Sequence, residues 1–213
     1  MKNLLLMAFA ILTIGCGEQN PDGDKSTHVN QMRFVKGTFY LKNSDNPYTG
    51  KIIDSFKNGG KKIEFNIKNG KPHGLSTQWY ENGKMQAKVN NRDGKHDGLT
   101  ERWYENGQKA EEATYKEGKG NGLVLHWFEN GQKAEESTYK AGELDGPGVS
   151  WHENGQKEME GKWKNGQQEG LLTAWHENGL KQMEAMFKEG EPISEKYWNS
   201  KGEEVDSLEE AEQ

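Results

Sequence analysis

Residues 103–110 read WYENGQKA and residues 127–134 read WFENGQKA, nearly the same phrase displaced by 24 positions. It returns as WYENGKMQ from Trp79, WHENGQKE from Trp151 and WHENGLKQ from Trp175, so five tryptophans share one uninterrupted grid. The glycines keep the same period. Gly59, Gly83, Gly107, Gly131, Gly155 and Gly179 form one set, and Gly70, Gly94, Gly118, Gly142, Gly166 and Gly190 another. Each repeat therefore holds two turn signals, spaced alternately 11 and 13 residues apart. That spacing suits short strands joined directly and leaves no room for a crossover helix. The expected fold is all-β: an elongated antiparallel meander of 24-residue hairpin repeats in a single curved or twisted sheet.

Asn-Gly is the strongest short hairpin signal, because both central residues of a type I′ turn need positive φ. A two-residue turn at Asn-Gly sets Glu81 opposite Lys84, Arg102 opposite Glu111 and His126 opposite Glu135. It also sets Gly98, Gly122, Gly146 and Gly170 of a third glycine set across from Tyr115, Tyr139, Trp163 and Phe187, so that a ring covers each bare glycine. A three-residue loop shifts the pairing by one, with Trp103 opposite Lys109 and Glu101 against Glu111. The like-charge pair favours the two-residue turn.

Equivalent positions in successive repeats lie two strands, or about 9.5 Å, apart. Trp79, Trp103, Trp127, Trp151 and Trp175 then form a row along one face, and Leu75, Leu99, Leu123 and Leu171 a second row interrupted by Pro147. The Trp row is either a binding stripe for sugar or peptide or the core of a thin sheet. The second reading is favoured, since nothing else in the repeat is large enough to hold the sheet together.

Composition agrees with a shallow interior: only 31% of the 213 residues are hydrophobic, 29% are charged, and 27 are glycine. The aromatic content still argues for folded structure. The first residues, MKNLLLMAFAILTIGC, place one cation and an apolar run from Leu4 to Ile14 before the sole cysteine, Cys16. The run is too short to span a bilayer and matches a secretory leader. LTIGC resembles the lipobox of bacterial lipoproteins, although Thr13 stands where that motif prefers Leu. The resemblance implies a signal peptide over 1–15, cleavage before Cys16 and acylation of its sulfur and new amino group. Two or three acyl chains hold a protein on a membrane far more firmly than one. Residues 16–33 read as the lipidated cysteine and a flexible polar tether, 34–202 as the repeat domain with degenerate terminal repeats as caps, and 203–213 as an acidic tail, a frayed helix or unstructured. Losing Lys2 leaves 27 basic against 34 acidic side chains, net minus 7. With Lys and Glu interleaved, neither nucleic acid nor anionic headgroups are expected partners.

No catalytic constellation emerges. His152 and His176 share a repeat position, but about 9.5 Å is too far for a common zinc. They are expected to substitute for Tyr80, Tyr104 and Phe128 there. Glu111 and Glu112, like Glu135 and Glu136, are sequence neighbours that a strand sends to opposite faces, so neither pair can act as a carboxylate dyad. No nucleophile elbow or phosphate loop is present, and no enzymatic activity, cofactor or metal is expected.

The stretch EGKWKNGQQEG at residues 160–170 resembles a MORN repeat. The longer unit, Trp-[Tyr/Phe/His]-Glu-Asn-Gly followed by an aromatic-Lys-x-Gly, is similar to the MORN-variant repeats of the YwqK-like antitoxin family, and the resemblance covers roughly residues 34–202. It implies a β-meander and no particular chemistry. The expected function is that of a non-enzymatic, lipid-anchored envelope protein presenting a sheet surface to a protein or envelope polymer. The alternative is an antitoxin or immunity protein that neutralises one cognate toxin.

Overall fold

The computed structural model describes residues 26–212. The expected leader over 1–15 and Cys16 lie outside the described residues. From Gly50 to Trp198 the chain is a continuous antiparallel meander whose strands pair in chain order, part of an open 16-stranded sheet. The expected meander of hairpin repeats is therefore present. A typical repeat runs Lys95–Trp103, turn, Lys109–Lys116, turn, and begins again at Lys119–Trp127.

The Glu-Asn-Gly turns do not take the expected two-residue type I′ form. At Glu105-Asn106-Gly107 only the glycine has positive φ, +94°. The Gly107 N–H donates to the Tyr104 carbonyl at 2.9 Å, and the Tyr104 N–H donates to the Gln108 carbonyl at 2.8 Å. This is a three-residue loop closed by a glycine in the left-handed region. Tyr80, not Glu81, stands opposite Lys84. The type I′ turns lie on the other edge of the sheet, where Glu117 (φ +52°) and Gly118 (φ +83°) are both left-handed, as are Asn165 and Gly166.

Register combines the two alternatives weighed from sequence. Gly98 pairs with Tyr115 and Arg102 with Glu111, as the two-residue turn requires. A bulge then shifts the ladder, so that Trp103 pairs with Lys109, as the three-residue loop requires. Like charges are not avoided, since Glu101 pairs with Glu112. The aromatic cover over Gly98, Gly122 and Gly146 is not formed by the paired rings. A Cβ at these glycines would meet Asn90, Thr114 and Thr138 instead. Their positive φ, +112° to +140°, marks irregular strand geometry that side chains disfavour.

Burial runs along a row of small residues, Val89, Thr100, Ala113, Val124, Ser137, Gly148 and Gly161, each paired with the next across the sheet. Thr100 and Ala113 are 0% exposed. A cluster of larger buried side chains forms at the N-terminal end from Met32, Phe39, Ile52 and Ile67, with Phe65 and Tyr48 packed against it. Here the expected tether over 16–33 is corrected from residue 26 on; residues 16–25 lie outside the described residues. Ser26–His28 pairs in parallel with the strand Gly50–Ser55, and Tyr48 Oη donates to Thr27 Oγ1 at 2.9 Å. Met32–Val35 and Thr38–Leu41 fold as a hairpin over the end of the sheet. A three-residue strand needs backbone partners rather than an apolar period, which is why polar Ser-Thr-His gave no signal. At the other end Glu204–Val205 pairs with Tyr197 and Trp198, and a short helix, Leu208–Ala211, is capped by Ser207 with Ala211 buried. The acidic end is thus folded against the array.

Candidate binding surface

Alternation along Lys95–Trp103 sends His96, Thr100 and Arg102 to one face and Leu99, Glu101 and Trp103 to the other. On the first face Arg102 and Glu111 form an ion pair at 3.1 Å, and His96 meets the Tyr115 ring edge-on at 5.4 Å. Burial pushes the Tyr115 and Tyr139 hydroxyls above their ordinary range. Burial, then the nearby Arg102 charge, lowers the His96 imidazole. These side chains close over the small-residue row and leave little of it accessible.

The second face carries the tryptophans. None of Trp79, Trp103, Trp127, Trp151 and Trp175 is buried; all are intermediate, so the expectation that their row forms the core is corrected. Each ring instead receives an amine from the repeat before it. Lys61, Lys88, Lys109, Lys133, Lys157 and Lys181 stand 5.2–5.9 Å from the ring centres of Trp79, Trp103, Trp127, Trp151, Trp175 and Trp198. A carboxylate three residues on completes most rungs, as in Lys133–Glu136 at 2.6 Å and Lys157–Glu160 at 2.5 Å. Lys109 bridges Glu112 and Glu101, holding together the two carboxylates that the register sets opposite one another. Hydrogen bonding to Glu112, first among several causes, raises its amine above the usual Lys range.

One rung departs and compensates. Met85 occupies the Lys position and Lys88 the Glu position, yet the Lys88 amine still reaches the Trp103 ring at 5.9 Å. The paired exchange at 85 and 88 was the visible signal for this ladder, and reading Trp as core concealed it. Leu75, Leu99, Leu123 and Leu171 run beside the tryptophans at 39–48% exposure, an open apolar row.

The Glu-Asn-Gly loops are joined by a second ladder. Asn106 Oδ1 accepts the Gln108 N–H at 2.8 Å while its Nδ2 donates to the Glu129 carbonyl of the next loop at 2.8 Å. Asn58, Asn82, Asn130, Asn154 and Asn178 do likewise. Beside it Tyr80 and Tyr104 donate their hydroxyls to the carbonyls of Trp103 and Trp127. His152 and His176 place Nε2 at 2.9 and 2.8 Å from the carbonyls of Trp175 and Trp198, taking the tyrosine role expected of them. Glu111 and Glu112 are split between the faces, one on Arg102 and the other on Lys109.

No curated protein matches the chain. Four successive stretches, residues 72–90, 97–117, 121–141 and 144–165, match the MORN repeat variant, and the hairpins that extend the sheet at both ends make the same loop bonds.

Proposed function

We propose that the protein is a non-enzymatic binding scaffold, held at a bacterial envelope membrane through lipid on Cys16, that offers its Trp–Lys face to a protein or an envelope polymer. The observation that carries this reading is the repeated rung of carboxylate, amine and half-exposed indole beside an open row of leucines. Aromatic rings with fixed charges at a constant period favour an extended partner over a small molecule. The acidic balance disfavours nucleic acid.

The test is capture from membrane extracts with the wild-type protein and with a Leu99→Glu/Leu123→Glu variant. A partner retained by the first and lost by the second, with both proteins melting alike, supports the reading. Equal capture by both removes it. Should the partner be one cognate toxin, as the antitoxin resemblance implies, capture returns a single protein, and loss of this gene arrests growth unless the toxin gene is also lost. Anchoring is checked separately, by fatty-acid labelling that disappears in Cys16→Ser.

A further inference from the structure

An asparagine followed by glycine is prone to lose its side-chain amide, because no Cβ shields the glycine nitrogen from the asparagine Cγ. The chain holds nine such pairs, at Asn58, Asn69, Asn82, Asn106, Asn121, Asn130, Asn154, Asn165 and Asn178. Their side chains are treated very differently.

Six belong to the loop ladder. In each the carboxamide is held at both ends, Oδ1 by the backbone N–H two residues on and Nδ2 on the carbonyl of the next loop. Rotating Cγ toward the glycine nitrogen breaks both bonds. The glycine N–H does not separate the pairs, since Gly107 donates to the Tyr104 carbonyl at 2.9 Å and Gly166 to the Leu144 carbonyl at 2.8 Å; the side-chain bonds do. Asn121 is half-buried within a paired strand. Asn69 and Asn165 sit at type I′ turn tips with exposed side chains that make no hydrogen bond. Gly70 after Asn69 is buried, and a Cβ there would lie 2.2 Å from Thr38. Gly166 after Asn165 is exposed with open space around it.

We infer that Asn165 is the site of spontaneous deamidation in the folded protein, and that the loop ladder protects the six asparagines it contains. When the turn tip opens and the Gly166 N–H leaves the Leu144 carbonyl, the nitrogen gives up its proton to solvent and attacks Cγ of Asn165. The Cγ–Nδ2 bond breaks and ammonia leaves. Water opens the resulting succinimide to aspartate or isoaspartate. The new carboxylate arises beside Asp145, whose Oδ2 accepts the Asn165 N–H at 3.3 Å. The isoaspartate form adds a methylene to the backbone of a two-residue turn. Both products loosen the hairpin tip between Lys157–Lys164 and Gln167–Gln168.

The full-length purified protein is aged in mildly alkaline buffer, folded and in urea, and mapped by peptide mass spectrometry with isoaspartate detection. In the folded arm Asn165 converts first, roughly 30-fold faster than Asn106 or Asn130, each of the two bonds holding a ladder side chain slowing its release several-fold. Within the ladder Asn58, whose Nδ2 contact is 3.4 Å, reacts before Asn154, whose contact is 2.6 Å. In urea the rates converge. Equal folded-state rates at Asn165 and Asn106, a silent Asn165, or a difference that persists in urea would each overturn the inference.

Discussion

The two faces of this sheet invert the usual relation between residue size and burial. On one, alanine, threonine, valine, serine and glycine are sealed from water beneath flanking tyrosines and ion pairs. On the other, tryptophan and leucine, the largest apolar side chains of the repeat, remain partly in solvent. A single sheet has no second layer, so what becomes buried is whatever lies low enough for its neighbours to cover. Small residues meet that condition along most of the sheet, and a larger one does so where a glycine leaves it room, as at Leu172 beside Gly161, or under the N-terminal hairpin. The tryptophans are steadied laterally, ring against amine along the row.

This contrast can be broken most severely at Ala113. Ala113→Leu drives a large side chain into a fully covered position and should cost about 2–3 kcal/mol in a urea melt. On the opposite face Trp127→Ala removes a half-buried ring and the seat of the Lys109 amine, and should cost about 2 kcal/mol by the same measurement. Lys109→Met leaves Glu101 facing Glu112 without their shared cation and should cost about 1 kcal/mol, less at high salt. Adding Glu112→Lys, which copies residues 85 and 88, should recover most of that loss; no recovery would show that the rungs are not interchangeable. Leu99→Ala, at an exposed position, should change stability by less than about 0.5 kcal/mol while weakening partner capture.

The faces should also fail together in alkali. Lys109 has a raised amine and Tyr115 a raised hydroxyl, so each holds its proton more tightly folded than unfolded. The stability each contributes is full below its ordinary value, 10.5 for Lys109 and 10.0 for Tyr115, and is lost as pH rises through the folded value. The melting temperature should fall more steeply above pH 10 in the wild type than in a Tyr115→Phe variant, which lacks one of the two titrating groups.

Much of the architecture was legible because its signals repeat. One Trp-x-Glu-Asn-Gly phrase could be chance, but five on a grid, with turn glycines 11 and 13 residues apart, fit paired strands and leave no room for a crossover helix. The split of Glu111 from Glu112 and the shared role of His152 and Tyr104 followed from alternation and register alone. The N-terminal cap was harder to see, since Ser26–His28 joins the sheet through backbone bonds and shows no apolar pattern.

The sequence by itself determined the period, the strand order and which residues share a face, because these depend only on spacing and on the two-residue alternation of a strand. Only the tertiary structure decided how each turn closes and which face is covered. Asn106 leaves the left-handed region because a neighbouring loop offers a carbonyl to its side chain, and Glu117 enters it because a two-residue turn demands it. Both outcomes rest on partners a full repeat or a full strand away, beyond the reach of any local preference.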